Sequence, residues 1–164
     1  MNGVTMLTTR STATAATLAL LVMACAPHVT PESMPARRSA DLRASAAALY
    51  EAYGSALATP RREAIAGFYH ADGALIVFNG KARRQTQAEL RSRYGQSWTP
   101  PAYFTWDELR FDSIGPGEVL VTGGFKWQST GQRDTVPYIY AALLAADDSG
   151  LAIVFEHETL RPGR

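Results

Sequence analysis

Few side chains in this sequence are equipped for chemistry: three histidines, one cysteine and a tyrosine on an otherwise apolar helical face. His157 alternates with Ile153 and Phe155 near the end of the chain, so strand parity puts the three on one apolar face. A histidine pointing into a pocket there could be a general base, since its ordinary pKa lies near neutrality. It could equally be a hydrogen-bonded core residue. The same parity sends Glu156 and Glu158 to the opposite face, where solvent is expected. Tyr53 shares a helical face with Leu42, Ala46, Leu49 and Leu57. Its hydroxyl either finds one core partner or serves a ligand. Trp106, Trp127, Tyr138 and Tyr140 could line a cavity suited to a flat apolar molecule, or fill the core or an oligomer interface. His28 lies in a proline-rich stretch and is expected in solvent. His70 follows a helix near a turn and reads as a surface or capping residue. Lys81, Arg83 and Arg84 read as a solvated basic stretch. The chain carries no glycine-rich phosphate loop, no nucleophile elbow and no metal-ligand spacing, so no metal or cofactor is expected.

The elements that must position these residues occupy about one domain's length, 164 residues, 46% hydrophobic and 19% charged. With 16 Lys and Arg against 15 Asp and Glu, the surface offers no field for steering phosphate, and nucleic-acid binding is excluded as a class. One cysteine excludes a disulfide framework. The chain opens with one cation, Arg10, and then an uncharged, mostly apolar run from Ala13 to Ala24. A bilayer span needs roughly 20 such residues, so this run reads as a secretory signal. Val22-Met23-Ala24-Cys25 then resembles the lipobox of bacterial lipoproteins. That resemblance implies cleavage before Cys25 and lipidation of that residue; an ordinary signal cut after Ala26 also fits. The expected organisation is a leader over 1–24, a lipidated Cys25 with a proline-rich tether over 25–38, and one domain over 39–164. The expected location is the cell envelope, held to a membrane through Cys25. In a host with two membranes, Ala26 makes the periplasmic side of the outer membrane the default.

Within the domain, the four-three-four-four spacing from Leu42 to Leu57 predicts a helix over Asp41–Leu57. Thr59-Pro60 opens a second, short helix through Phe68. Ala74–Phe78 is a short buried strand, and Asn79-Gly80 a turn. Thr86-Gln87-Ala88-Glu89 has capping-box spacing and starts a third helix carrying Leu90, Tyr94 and Trp98 on one face. From Tyr103 the period changes to two, giving strands over Tyr103–Asp112, Val119–Gln128, Thr135–Ala146 and Leu151–Leu160. Short connections make these neighbours antiparallel. The fold class is therefore α+β, with a mainly antiparallel sheet curled over N-terminal helices into a cone-shaped barrel.

This order of elements resembles the nuclear transport factor 2-like superfamily, which includes ketosteroid isomerase and the SnoaL-like proteins. Phe68–Ala74 resembles the family's "lyadDa" junction, with Gly73 where an acid is usual. Gly150–Thr159 resembles its closing strand, with Leu151 for the tryptophan and His157 kept. The resemblance implies an apolar pocket at the open end of the cone, with Tyr53 in the place of the isomerase's oxyanion tyrosine. It also puts Phe78 at the isomerase's base position and about Ala141 at its acid position, so that enzyme's proton transfer is not expected. The leading expectation is a membrane-tethered domain binding a small, largely apolar ligand, with Phe78, Trp106, Tyr140 and Phe155 in the pocket. The alternatives are a hydrolase, dehydratase or isomerase using His157 and Tyr53, and a structural homodimer joined through the outer face of the sheet.

Overall fold

A computed structural model describes residues 34–59 and 62–162. The leader over 1–24, Cys25, the tether up to residue 33 and Pro60, expected at the first position of the second helix, lie outside these residues.

Helix α1 spans Met34–Leu57, and so begins within the stretch expected to be tether. Pro35 occupies its first turn, where a missing N–H is no loss, and Pro35, Arg37 and Arg38 are exposed. An opening turn without an apolar face leaves no periodic signal, which is why the sequence places the start near Asp41. Farther along, Ala46, Tyr50, Tyr53 and Leu57 are buried. Helix α2, Arg62–Ile65, runs into a 3-10 turn over Ala66–Phe68.

Strand β1 covers Ala74–Phe78, and a second strand, β2, covers Lys81–Gln85. The turn between them has positive φ at both Asn79 and Gly80, the backbone of a tight hairpin. The basic stretch expected to be solvated is therefore strand β2, at the sheet edge. Its Lys and Arg side chains are exposed, as suits an edge that must not pair with other chains, and they hide the strand from any hydrophobic pattern. Gly73, at φ +87°, lies so close to the backbone of Gln85 that a Cβ would overlap its carbonyl. Helix α3, Gln87–Ser92, opens with the expected capping box: Glu89 N donates to Thr86 Oγ1 at 3.2 Å, and Thr86 N to Glu89 Oε2 at 2.8 Å. It continues as a π-helical turn over Arg93–Ser97 and ends before Trp98.

Four long strands follow: β3 Tyr103–Gly115, β4 Glu118–Gln128, β5 Val136–Asp147 and β6 Gly150–Leu160. The six strands form one sheet in the order β2-β1-β6-β5-β4-β3, antiparallel throughout except for the parallel pair β1–β6. Helix α1 packs across β3, β4 and β6, and the core lies between it and the sheet. Three register shifts bend the sheet. Two give β3 an extra residue, between Asp107 and Arg110, with Glu108 at φ +52°, and between Ser113 and Gly115. The third gives β6 an extra residue opposite the Leu143–Leu144 step of β5.

Candidate functional site

The bulge in β6 decides which side chains of that strand face inward. Leu144 pairs with Ile153 but Leu143 pairs with Phe155, so Val154 is the extra residue and parity inverts across it. Ile153 is fully buried on the inner face. Beyond the bulge the inward residues are Glu156, which is 2% exposed, and Glu158. Phe155 and His157 consequently lie on the outer face, His157 between Val77 of β1 and Ala141 of β5. This corrects the expectations for both residues. Phe155 does not face the interior of the cone, and His157 cannot serve as a base there, so the enzymatic alternative built on it falls. Ala141 is on the outer face as well.

Glu156 sits at the centre of a cluster of five tyrosines. Tyr140 donates to its Oε1 at 2.8 Å, Tyr53 to Oε1 at 3.1 Å, and Tyr69 to Oε2 at 2.6 Å. Around these run three hydroxyl–hydroxyl contacts: Tyr50 with Tyr140 at 2.8 Å, Tyr53 with Tyr69 at 2.8 Å, and Tyr69 with Tyr94 at 3.1 Å. Six contacts need six protons, and five hydroxyls supply five. With Glu156 ionised, the Tyr53–Tyr69 contact holds two oxygens and no proton. With Glu156 protonated, the acid donates to Tyr53 and Tyr53 to Tyr69, and every contact is filled. Burial acts in the same direction and raises the Glu156 carboxyl above its usual range, against the hydroxyls of Tyr69, Tyr140 and Tyr53 and the charge of Arg93. Burial, with Glu156 second, also lifts the hydroxyls of Tyr50, Tyr53, Tyr69 and Tyr140 far above the ordinary tyrosine value. The cluster is therefore a store of neutral O–H groups.

Next to it opens a cavity of about 340 Å³. Its wall includes all three tryptophans of the chain, Trp98, Trp106 and Trp127, with Phe104, Phe125 and Tyr138 between them. The rings are locked against one another: Phe125 stacks on Tyr138 at 4.7 Å between centroids, and Phe104 meets Trp106 edge-on at 4.8 Å. Trp106 also donates Nε1 to the Tyr50 carbonyl at 3.1 Å. Gly54 makes that approach feasible, because a Cβ there would strike the indole. The carbonyl of Trp98 accepts from Arg62 Nη1 at 3.0 Å. Phe78 stands at the mouth, 46% exposed, and strand register puts Tyr103, Val136 and Leu160 at the same end of the sheet.

Four polar side chains give the cavity its chemistry. The hydroxyls of Tyr53 and Tyr94 connect it to the Glu156 cluster. Arg93, from the π turn, donates Nη1 to Gln85 Oε1 at 3.1 Å and lies 5.2 Å from the centre of the Tyr94 ring. Glu158 faces the aromatic wall, where burial, and after it the neighbouring Glu156, push its carboxyl up to about 8 against the pull of Arg93.

Of the residues expected to form the site, Tyr53, Phe78 and Trp106 do line the cavity. Tyr140 does not. It is 1% exposed and bonded to Glu156 in the core. Glu156 and Glu158, expected in solvent, are the acidic centre of the molecule. His70 bridges two turns, with its nitrogens 3.7 Å from Asp72 and 3.7 Å from Asp147. Among the described residues no group of three or more His, Cys, Asp or Glu side chains could hold a metal ion.

No protein-family model matches the sequence, and no curated protein matches it. Solved structures match its fold. A nuclear transport factor 2-like protein of unknown function from Pseudomonas putida KT2440 is 12% identical, with a TM-score of 0.62 over 74% of this chain and 87% of that one. Another from Shewanella oneidensis MR-1 is 16% identical, with a TM-score of 0.57 over 71% and 97%. Hexachlorocyclohexane dehydrochlorinase LinA-type3 from Novosphingobium barchaimii LL02 is 14% identical, with a TM-score of 0.61 over 75% and 88%. At such identities the likeness is one of fold. The chain has the α+β nuclear transport factor 2-like fold, N-terminal helices on a mixed, curved sheet of six strands.

Proposed function

We propose that this chain is an exported lipoprotein, tethered to a membrane of the cell envelope through Cys25, whose domain binds a small, largely apolar molecule. The observation that carries the binding reading is the aromatic cavity, about 340 Å³ in volume and open at one end of the sheet. Pockets of this kind take most of a small ligand's surface out of water, with a few polar groups fixing its orientation. Because every tryptophan lies on the wall, indole emission reports occupancy directly. Titration with phenethyl alcohol is expected to change that emission saturably. Trp127→Ala, a change at the half-buried mouth, is expected to weaken binding about tenfold. Emission that stays flat or drifts linearly with concentration would remove the binding reading.

Membrane attachment rests on the leader and the cysteine that closes it. Among the described residues no helix is long and apolar enough to cross a bilayer. Acyl chains on Cys25 would hold the domain at ~0.8 kcal/mol per buried methylene. Cys25→Ser is expected to abolish fatty-acyl labelling and release the protein from the membrane fraction; unchanged fractionation refutes the tether.

A homodimer is a second reading, supported by the outer face of the sheet. Leu75, Val77, Phe155 and Leu143 lie there only partly buried, beside Ile139, which is 40% exposed. Sedimentation equilibrium reads the assembly state directly.

A further inference from the structure

The two charged groups on the cavity wall are not equivalent. Arg93 is held by Gln85 and by the face of Tyr94. Glu158 makes no hydrogen bond and no ion pair among the described residues, although it faces the cavity. A carboxylate at this place accepts from a charged donor, and the surfaces around it are the π faces of tryptophan, tyrosine and phenylalanine. We propose that the cavity takes an organic cation, a protonated amine on a small aromatic or aliphatic body, with the amine against Glu158 and the body between Trp98, Trp106 and Trp127. This rests on the binding reading above and names the ligand class of that same cavity.

Both halves of such a ligand are served. A cation over an indole or phenol face is attracted by the ring quadrupole, the more so where water is excluded. The ammonium N–H groups make charge-assisted hydrogen bonds to a carboxylate, about twice as strong as neutral ones. The groups facing Glu158 are Glu156 two residues back on β6, Tyr138 on β5, Tyr53 on α1, and Arg93 and Tyr94 on the π turn after α3. Arg93 opposes a second positive charge. Burial pushes the Glu158 carboxyl up to about 8, so that below this pH an entering ammonium displaces a proton from it to solvent. One positive charge replaces another, and the net charge of the site does not change.

Three probes with one aromatic body test the proposal: phenethylamine, phenethyl alcohol and phenylacetate, each titrated against tryptophan emission of the intact protein. The amine is expected to bind about tenfold or more tighter than the alcohol, and its affinity to rise between about pH 6.5 and pH 8.5 while that of the alcohol stays level. Glu158→Gln should cancel the preference, bringing the amine to about the affinity of the alcohol for the same variant, with an unchanged circular-dichroism spectrum showing that the variant is folded. An amine that binds no tighter than a bound alcohol overturns the proposal and leaves the binding reading intact. A preference for phenylacetate overturns it too, and gives recognition to Arg93. No binding by any probe removes both.

Discussion

Glu156→Ala is expected to destabilise the domain by about 3–5 kcal/mol, whereas Glu156→Gln should cost only about 1 kcal/mol. The alanine variant leaves the hydroxyls of Tyr69 and Tyr140 with no acceptor and that of Tyr53 with no donor, in a site that is 2% exposed. It also opens a void the size of a carboxymethyl group among rings that cannot collapse into it. Glutamine preserves the volume and one acceptor, and its amide group can donate to Tyr53 as the acid proton does. The contrast between the two variants tests the proton count. Were Glu156 a carboxylate stabilised by three donors, glutamine would put N–H groups against hydroxyls oriented to donate, and would cost nearly as much as alanine. Urea unfolding of both variants against the natural chain decides the matter, and near-equal losses would show the residue to be ionised.

The same residue shows where sequence reasoning stops. The helices, the four long strands and their order were legible because each follows from periodicity, turn residues or capping spacing over many positions. Tyr53 and Phe78 were legible as cavity residues through the resemblance of that order to a known fold, and Trp106 as one of four aromatics that could line a cavity. Glu156 and Glu158 were not, because one extra residue at Val154 inverts parity and no side chain there announces it. Without that bulge, His157 and Phe155 would face the cone and the two acids would face water. A bulge is a backbone event paid for by the curvature of the whole sheet. Its signal is non-local, in the need of Tyr53, Tyr69 and Tyr140 for a common acceptor. Strand β2 was hidden for the opposite reason. An exposed edge strand buries almost nothing, so its composition reports protection of the edge rather than contact with a core.

Stability is expected to fall as pH rises from about 5 to about 8.5, by roughly 2–4 kcal/mol, the reverse of ordinary acid denaturation. Two carboxyls set the direction. Those of Glu156 and Glu158 are both raised in the folded protein, Glu158 to about 8 from an ordinary 4.5. Below the lower value both acids are protonated whether the chain is folded or not, and pH has no purchase on them. Between the two values the unfolded chain ionises while the folded one keeps its protons, so each step upward in pH favours unfolding. Above the folded value both states are ionised and the loss is complete. Glu89 and Asp147 act in the opposite sense, since hydrogen bonds from Thr86 and from Ser149 lower their carboxyls. Glu89 is exposed and Asp147 half-buried, and their contribution disappears only as pH falls into the acid range. The two effects together place maximum stability near pH 5. Glu158→Gln removes one of the raised groups, so its urea midpoint should change less between pH 5 and pH 8.5 and exceed that of the natural chain at the alkaline end. A natural chain whose midpoint rises over the same interval would mean that the acids are ionised inside the fold, and that neither the neutral cluster nor the proton displaced by an entering cation exists.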